Sequence, residues 1–447
     1  MKVDTQYKPR IHYAPRQGWI NDPNGISYYD NKYHLFAQHY PHDSVWGPMH
    51  WSHAVSEDLI TWEHLDIALS PDMEYDKGGC FSGSAIKIDG KHILYYTSVE
   101  KNGNQQQSMA IGDGEKYEKY SGNPILTSDK LPDKYIQGEF RDPKVFIRNN
   151  KYYMLLGTKT KDLCGAIIVY ISKNGYDWEF LNEVISSTEC EDGVYECPDL
   201  ITIDDKDILI YSPINKSEED YKYLNVSSTV YEVGKFNLDS GKFVSEYKDE
   251  LDFGFDYYAP QVYNYDGKHH IVAWMQMWGK EIPTNTRQHG WSGQMTLPRE
   301  LELNDNKLEI KYPNNLDNYL GTQRHINSEG ETLKICGTTV VKITGDAIVG
   351  KIDISNQIDI QISDNQIVLN RERIADLVKS VDEGAPQYTS RRIENVKVRD
   401  LKIVIDKSSV ELFINNMYTM TTTFYPEQTS LNIQGLEQSS IGIFDVK

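Results

Sequence analysis

The stretch FSGSAIKIDGKHILYYTS, residues 81–98, contains two short apolar runs joined by an Asp-Gly pair. Runs rich in Ile, Leu, Tyr and Thr favour β-strands, and Asp-Gly between two such runs is typical of a tight β-hairpin. The same pattern recurs in residues 22–38, 141–158, 197–213 and 258–275, with turns at Asn31, Gly90, Asn150, Lys206 and Gly267. The hairpins therefore repeat about every sixty residues, which predicts a five-bladed β-propeller.

The pattern changes near residue 303. Residues 304–318 are polar and predict a linker, and from residue 319 short strands alternate with turns, most clearly in residues 401–426. Such alternation is typical of a β-sandwich. We therefore predict an all-β chain with a catalytic propeller over residues 1–303, a linker over 304–318 and a β-sandwich over 319–447. The alternative, a single β-sandwich with accidental spacing, fits the even repeat poorly.

The composition argues against several classes of partner. The formal net charge is −20, so nucleic acid and anionic membranes, which need a basic surface, are not expected. No segment has the roughly 20 apolar residues of a membrane helix, and the first residues lack the apolar run of a signal peptide. The five cysteines form no CxxC pair and are expected to be reduced thiols, which favours a cytoplasmic location.

Three acidic residues occupy similar places in the repeat. Asp22, Asp142 and Glu196 precede their turns by nine, eight and ten residues, and Ser82 and Tyr258 take the matching places in the other two repeats. If the first strand of each hairpin is the innermost strand of its blade, equivalent positions converge at one end of the central channel. The three carboxyl groups are then expected to share one pocket.

Two carboxyl groups that flank a sugar acetal are the usual requirement for glycoside hydrolysis. Glu196 stands beside apolar residues and Asp199, which predicts a raised pKa and the role of proton donor. Asp22 stands among turn amides, which predicts an ionised carboxylate. Arg141, next to Asp142, is a donor suited to sugar hydroxyls or to a carboxylate.

Aromatic side chains near these strands are candidates for sugar binding, and histidine side chains are candidates for zinc binding. Trp46, Phe81, Trp274 and Trp278 are candidates for packing against sugar rings, with burial in the core as the alternative explanation. The histidines of residues 39–64 raise the alternative of a zinc site, but His50 and His53 point to opposite faces of a strand. No metal and no cofactor is therefore expected.

Several stretches, in this order, resemble glycoside hydrolase family 32, the invertase and β-fructofuranosidase group. They are WINDPNG (19–25), FSGSA (81–85), EFRDPKVF (139–146), ECPDL (196–200) and DFGFDYYAPQ (252–261). Further similar stretches are residues 46–65, 291–301 and 408–415, so the resemblance covers nearly the whole chain. It implies a five-bladed propeller followed by a β-sandwich, and stretches such as GCFSGSAI (79–86) are most similar to bacterial sucrose-6-phosphate hydrolases.

The resemblance also implies roles for individual residues. Asp22 would be the nucleophile, Glu196 the general acid and base, and Asp142 the transition-state stabiliser that binds fructose hydroxyls. The positions that match the fructose site of the family are Asn21, Gln38, Trp46, Phe81, Ser82, Arg141 and Trp274. The expected activity is retaining hydrolysis of terminal β-D-fructofuranosides through a covalent fructosyl-enzyme, which requires the two catalytic carboxyl groups about 5–5.5 Å apart.

Other functions stay open at this point. They are an inverting arabinan- or xylan-type hydrolase, an exo-fructanase or fructosyltransferase acting on short fructo-oligosaccharides, and a non-catalytic sugar-binding propeller. The substrate is equally open between sucrose, sucrose 6-phosphate and a short fructan. A phosphate would need cations, and Lys280, Arg287 and His289 lie in the part of the chain that matches the family least, where exposed loop charges are the alternative explanation.

Overall fold

The computed structural model describes residues 2–190, 193–324, 329–381, 387–436 and 438–447. Within these ranges nearly all regular structure is β-strand, in five sheets of the N-terminal part and two six-stranded sheets of the C-terminal part. The predicted all-β propeller and sandwich are confirmed. Among the described residues, no helix combines the length and the apolar character needed to cross a membrane.

Each blade of the propeller is an antiparallel sheet whose strands follow one another along the chain. Blade I comprises β1 (Gly18–Tyr29), β2 (Lys32–Tyr40), β3 (His50–Ser56) and β4 (Glu63–His64). Blade II comprises β5 (Gly79–Ile88), β6 (Lys91–Val99), β7 (Gln105–Gly112) and β8 (Tyr117–Lys119). Blade III comprises β9 (Tyr135–Arg148), β10 (Lys151–Thr160), β11 (Gly165–Ser172) and β12 (Glu179–Ser186).

The remaining two blades complete the ring. Blade IV comprises β13 (Tyr195–Ile203), β14 (Lys206–Pro213), β15 (Val230–Phe236) and β16 (Phe243–Glu250). Blade V comprises β17 (Tyr258–Tyr265), β18 (Lys268–Trp274), β20 (Arg299–Asn304) and β21 (Lys307–Lys311), and the short β19 (Trp291–Ser292) lies between β18 and β20 in the chain. β19 pairs in parallel with β1, so the chain that leaves blade V also joins the sheet of blade I.

The innermost strands β1, β5, β9, β13 and β17 contact one another in a closed ring, as the repeat predicted. Each is followed by a tight turn to the second strand of its blade. Both turn residues have positive φ, between 48° and 79°, at Asp30-Asn31, Asp89-Gly90, Asn149-Asn150 and Asp266-Gly267. Asn, Asp and Gly tolerate this left-handed conformation, which matches the twist of a hairpin. In the fourth repeat the turn is Asp204-Asp205, one residue before the predicted position, and Lys206 already belongs to β14.

The propeller extends beyond the predicted boundary at residue 303. β21 pairs with β20 as the outermost strand of blade V, and the segment predicted as a linker over 304–318 contains this strand. The sequence KLEIK looks polar, but Leu308 and Ile310 alternate with charged residues and are buried. This alternation, which packs one face of an outer strand on the core, was missed. A 3₁₀-helix over Asn314–Tyr319 makes the connection to the sandwich.

The sandwich consists of two sheets packed face to face. Its strands are β22 (Leu320–Arg324), β23 (Glu329–Lys334), β24 (Thr339–Thr344), β25 (Gly350–Ile354), β26 (Ile358–Ser363), β27 (Gln366–Asn370), β28 (Ser390–Glu394), β29 (Asp400–Ile405), β30 (Ser409–Ile414), β31 (Tyr418–Thr423), β32 (Ser430–Gln434) and β33 (Ser440–Val446). The sheet orders are β22-β33-β24-β29-β30-β31 and β23-β32-β25-β26-β27-β28. Alternate residues of both sheets, such as Ile343, Ile352, Ile360 and Leu412, fill the space between them.

Short helices lie in the connections. α1 (Pro283–Thr286) follows β18, and 3₁₀-helices occur at Glu74–Asp76, Ser128–Lys130 and Glu372–Ile374.

A buried network of charges joins the two domains. The Arg299 guanidinium, on blade V, pairs with Asp252 of the propeller and with Glu411 of the sandwich. His12 bridges Asp406 and Glu411 at 2.9 and 2.7 Å. Burial by itself lowers the pKa of His12, but the hydrogen bonds to the two carboxylates outweigh burial and raise it to about 9. The sandwich is therefore fixed to the propeller by paired charges as well as by apolar contacts.

The cysteines differ from the sequence expectation in one respect. Cys164 and Cys190, which flank the strands β11 and β12, form a disulfide, so the expectation of reduced thiols is wrong for this pair. Cys80 and Cys197 are buried free thiols, and Cys336 is an exposed one. The pairing depends on how β11 and β12 align, and cysteine spacing alone does not encode that alignment.

Candidate active site

Each innermost strand contains a β-bulge at the equivalent point of its pairing with the second strand of its blade. The register shifts lie between Ile20 and Pro23, Phe81 and Gly83, Arg141 and Lys144, Glu196 and Asp199, and Tyr258 and Gln261. Inside three of these bulges Asp142, Cys197 and Ala259 have φ values of 63°, 47° and 51°. A bulge redirects side chains, and positive φ in such residues is characteristic of functional sites.

The bulges bring the three predicted catalytic acids together. Asp22, Asp142 and Glu196 line one cavity of about 570 Å³. The other predicted residues that line it are Asn21, Gln38, Trp46, Phe81 and Arg141. The convergence that the repeat suggested is therefore present, because equivalent positions on parallel innermost strands face the same end of the channel.

The carboxyl group of Asp22 is buried among hydrogen-bond donors. Asn21 Nδ2 donates to Oδ1 at 3.0 Å, and Gln38 Nε2 and Ser82 Oγ donate to Oδ2 at 3.0 and 2.5 Å. Burial nevertheless raises the pKa of Asp22, the negative charge of Glu196 raises it further, and the hydrogen bonds only oppose this. The direction is opposite to the sequence expectation, because loss of hydration outweighs the donors.

The carboxyl group of Glu196 is held from both sides. Arg141 donates to Oε1 through Nε at 3.0 Å and Nη2 at 2.8 Å, and the Tyr258 hydroxyl donates to Oε2 at 2.5 Å. Arg141, Glu196 and Tyr258 each occupy the last paired position before the bulge of their own strand. Asp199, the like charge expected beside Glu196, points elsewhere and pairs with Lys144 at 2.8 Å.

The thiol of Cys197 connects the other two acids, and the sequence analysis did not identify it. Cys197 Sγ lies 3.6 Å from Asp142 Oδ2 and 3.7 Å from Asp22 Oδ2, and its backbone N–H donates to Asp142 Oδ2 at 2.9 Å. Burial and then the charge of Glu196 raise the pKa of Asp142 to about 7, against the opposing effect of Arg141. The signal for Cys197 was available, because it occupies the bulge position of blade IV that Asp142 occupies in blade III.

The aromatic residues divide into a pocket wall and a layer behind it. Trp46 is 48% exposed and packs edge to face on Phe81, with ring centres 5.9 Å apart. Trp274, predicted to line the fructose site, is fully buried and does not reach the cavity. It lies on the second strand of blade V and packs against both Trp19 and Trp278. Trp278 lines the cavity instead.

The histidine-rich segment forms separate pairs and not one cluster. His34 Nδ1 and His53 Nε2, on neighbouring strands of blade I, are 2.9 Å apart, and His39 Nδ1 is hydrogen-bonded to the Trp19 carbonyl. Across the described ranges, no group of three or more His, Cys, Asp or Glu side chains is placed to hold a metal ion.

The three candidate cations for a phosphate are also separated. Arg287 donates to the Tyr7 hydroxyl at 3.2 Å, and the ring of His289 packs near Tyr7 and Asp4. Both therefore face the N-terminal segment. Lys280 lies elsewhere, at the junction of propeller and sandwich.

Three carboxyl groups facing one pocket with aromatic walls, at one end of a five-bladed propeller, define a glycoside hydrolase. Residues 12–313 match the family model for the N-terminal domain of glycosyl hydrolases family 32, and residues 349–443 match the model for its C-terminal domain. The chain belongs to glycosyl hydrolase family 32. The resemblance found in the sequence is confirmed.

The chain is similar over nearly its whole length to members of this family. A sucrose-6-phosphate hydrolase of Escherichia coli is 34% identical, over 94% of this chain and 90% of that protein. The structure of a sucrose-6-phosphate hydrolase from Lactobacillus gasseri superimposes with a TM-score of 0.90 at 27% identity, covering 99% of this chain and 94% of that one. A β-fructofuranosidase of Bombyx mori superimposes with a TM-score of 0.87 at 29% identity, covering 100% and 95%.

Proposed function

We propose that this enzyme hydrolyses terminal β-D-fructofuranosides with retention of configuration, and that its substrate is sucrose 6-phosphate or sucrose. The observation that carries the proposal is the convergence of Asp22, Asp142 and Glu196 on one cavity. The relatives add support, since several are sucrose-6-phosphate hydrolases and a variant of the Bombyx mori enzyme was solved with sucrose. An inverting hydrolase of arabinan or xylan and a non-catalytic propeller fit these relatives less well.

The reaction proceeds in two displacements. The Asp22 carboxylate attacks the anomeric carbon of the fructosyl unit while Glu196 gives its proton to the glycosidic oxygen, so the carbon–oxygen bond breaks and the aldose leaves. Water then gives a proton to Glu196 and attacks the same carbon. Fructose is released, the Asp22 carboxylate is restored, and the two inversions give net retention.

The electrostatics of the pocket supply the proton for the first step. Burial raises the pKa of Asp22 and raises that of Asp142 to about 7, so these two carboxyl groups hold a proton to higher pH than an ordinary Asp does. In such a coupled cluster the proton belongs to the group and not to one residue. Substrate binding places the glycosidic oxygen at Glu196, where the proton is used, and leaves Asp22 ionised for attack.

Neighbouring residues position these groups. Arg141 and Tyr258 fix the orientation of Glu196, and Asp142 accepts hydrogen bonds from fructose hydroxyls. Trp46, Phe81 and Trp278 form the apolar walls that pack against the sugar rings. Asn21, Gln38 and Ser82 act by holding Asp22 in place.

We also place the enzyme in the cytoplasm. A phosphorylated disaccharide is an anion, and an anion does not enter the hydrocarbon of a bilayer unaided. A hydrolase that acts on such a substrate has to occur where the sugar is phosphorylated.

Replacement of the nucleophile tests the proposal. We expect Asp22→Ala to lower kcat for sucrose and sucrose 6-phosphate by about 10⁴-fold or more, because no other carboxylate can form the covalent intermediate. The control is Asp207→Asn, a buried Asp on β14 that pairs with Arg148 outside the pocket. Undiminished turnover in Asp22→Ala would overturn the assignment.

Stereochemistry and acceptor choice separate the remaining alternatives. In buffer that contains methanol, the covalent intermediate is partly captured as a methyl fructoside, an acetal that does not mutarotate, so NMR reports its configuration directly. We expect the β-anomer, whereas an inverting enzyme forms no fructosyl-enzyme for methanol to capture and would release only fructose. Release of free fructose at high sucrose concentration, in preference to fructo-oligosaccharides, distinguishes a hydrolase from a fructosyltransferase.

A further inference from the structure

A second concentration of charge lies where the sandwich meets the propeller, beside the catalytic pocket. We call it the junction groove; its walls include Asn225, Val226, Lys280, Arg371, Tyr388 and Arg391. Val226 lines both the junction groove and the catalytic cavity. Lys280 follows Trp278 of the cavity wall by two residues, and its backbone pairs with Ser380 of the sandwich. The groove is therefore continuous with the rim of the pocket.

Two of its cations share one carboxylate. Arg371 Nη1 donates to Asp256 Oδ2 at 2.5 Å, and Lys280 Nζ lies 4.0 Å from Asp256 Oδ1. Lys280 Nζ also donates to the Phe255 carbonyl at 3.2 Å. Asp256 is further engaged by the backbone N–H and the hydroxyl of Thr423. One carboxylate thus serves two cations and two neutral donors.

The third cation, Arg391, is buried on neutral acceptors. Its described hydrogen bonds go to the Leu224, Gly254 and Ser390 carbonyls and to Asn225 Oδ1. Glu250 and Asp256 are the acids that act on it electrostatically; burial raises the pKa of Glu250 to about 8, and Asp256 is already shared by Arg371 and Lys280. Among the described hydrogen bonds of Arg391, none goes to a carboxylate.

The junction groove thus holds an excess of buried positive charge in a chain whose formal net charge is −20. Buried charge without a counterion is costly, and an anion that enters the groove removes that cost. Burial and the neighbouring arginines lower the pKa of Lys280 well below its usual range, and burial lowers that of Arg391 to about 10, so an anion bound in the groove would raise both pKa values.

We propose that the junction groove binds a phosphoryl group between Lys280 and Arg391, with Arg371 as the third cation. This inference rests on the proposed function, because the nearest source of such a group is the 6-phosphate of the glucosyl unit that leaves the catalytic pocket. Guanidinium groups present paired N–H donors that match phosphoryl oxygens, and the lysine adds a mobile point charge. Inorganic phosphate presents the same chemistry.

The structure also separates the three cations that the sequence suggested for binding a phosphate, Lys280, Arg287 and His289. Of the three, only Lys280 lines the groove, because Arg287 and His289 face the N-terminal segment. Arg287 is therefore a matched control: it is a nearby cation of the same part of the chain that the phosphoryl group does not reach.

The first measurement is the ratio of kcat/KM for sucrose 6-phosphate to kcat/KM for sucrose. We expect Lys280→Gln to lower this ratio about tenfold or more, since one charge-assisted contact to a phosphoryl oxygen is lost. Lys280→Arg, which keeps the charge, is expected to retain most of the ratio, and Arg287→Gln to leave it as in the wild type. Thermal unfolding checks that each variant folds, and Lys280→Met, which keeps the apolar stem, replaces Lys280→Gln if it does not.

The second measurement is calorimetric titration with inorganic phosphate. Loss of phosphate binding together with a lower ratio in Lys280→Gln supports the substrate phosphoryl group as the ligand. Loss of phosphate binding with an unchanged ratio supports a site for free phosphate. A wild type that does not bind phosphate, with a ratio unaffected by Lys280→Gln, overturns the proposal. If the wild type hydrolyses no fructoside, the proposed function is wrong. The calorimetric titration still shows whether the groove binds phosphate.

Discussion

The catalytic pocket and the junction groove share a wall at Val226, yet they concentrate buried charge of opposite sign. The pocket gathers the carboxyl groups of three acidic residues around Arg141, and the groove gathers three cations around Asp256. In the pocket one cation cannot balance three carboxyl groups, and in the groove one carboxylate cannot balance three cations. Burial then raises pKa values of acids in the pocket and lowers those of bases in the groove.

The difference lies in how each imbalance is used. In the pocket the raised pKa values of Asp22 and Asp142 favour a protonated carboxyl group, and the proposed hydrolysis requires a proton for the departing alcohol. In the groove the excess of cations has no proton to give to the substrate and favours an anion instead. Together the two regions suit the two ends of a phosphorylated disaccharide, the acetal and the phosphoryl group.

The largest expected effect in this comparison comes from replacing Glu196, the proposed proton donor of the pocket. We expect Glu196→Gln to lower kcat for sucrose by about 10²–10⁴-fold, because the leaving oxygen is no longer protonated. A nitrophenyl β-D-fructofuranoside is expected to lose much less in the first displacement, because its leaving group departs as an anion. Steady-state and burst kinetics on both substrates measure the difference.

The control for this variant is Glu232→Gln. Glu232 is a buried glutamate that accepts a hydrogen bond from the Tyr211 hydroxyl at 2.7 Å, away from the catalytic cavity. Glu232→Gln is expected to change kcat by the same factor for sucrose and for the nitrophenyl fructoside. Equal losses on both substrates in Glu196→Gln would show that Glu196 does not protonate the leaving group.

The parts of the fold that were predictable are those encoded locally. Each hairpin carries its own Asp, Asn or Gly turn and its own apolar runs, so one repeat unit can be recognised without the others. The position of Asp22 and Asp142 within that unit was enough to predict a common pocket. Once the period is known, the sequence alone therefore predicts which acids of the innermost strands share a pocket.

The parts that were not predictable depend on contacts between distant segments. Whether Trp274 or Trp278 reaches the pocket is decided by the packing of Trp19 across the ring closure. The direction of the pKa shift of Asp22 depends on how completely the assembled blades exclude water. The junction groove combines Lys280 of the propeller with Arg391 of the sandwich, and no local pattern relates residues so far apart in the chain.

Removal of Asp256, the carboxylate that Arg371 and Lys280 share, tests the other half of the comparison. We expect Asp256→Asn to lower the free energy of unfolding by about 3–5 kcal/mol, because Arg371 and Lys280 are then buried without a counterion. Inorganic phosphate is expected to restore part of the loss, by about 2–3 kcal/mol at a concentration 100 times its Kd. Urea unfolding with and without phosphate measures both effects.

The control is Asp353→Asn, which removes the partner of Arg373 in a solvent-exposed pair of the sandwich. Such a pair contributes about 1 kcal/mol or less, and because this variant keeps the groove intact, phosphate should stabilise it as it stabilises the wild type. At one phosphate concentration, a gain for Asp256→Asn no larger than that for Asp353→Asn would contradict a phosphate site beside Asp256.

The smallest expected effect is a gain in stability within the pocket. The folded-state pKa of Asp142 is about 7 against an ordinary value of 3.8, so the folded state holds this proton more tightly than the unfolded state. As pH rises from about 4 to about 7 the unfolded chain loses the proton first, and stability falls. Asp142→Asn does not titrate, and we expect it to be more stable than the wild type by about 1–3 kcal/mol at pH 8 and by little at pH 4.

Urea unfolding across this pH range tests the sign, and Asp113→Asn provides the contrasting variant. Asp113 accepts hydrogen bonds from the Glu115 and Lys116 amides, which lower its pKa, so its replacement should remove stability as pH rises above about 4. Asp142→Asn is expected to lose hydrolytic activity while it gains stability, because the buried charge serves catalysis at the expense of folding. A stability difference for Asp142→Asn that does not change between pH 4 and pH 8 would mean that this carboxyl is already ionised at low pH, and the pocket would then hold no surplus proton.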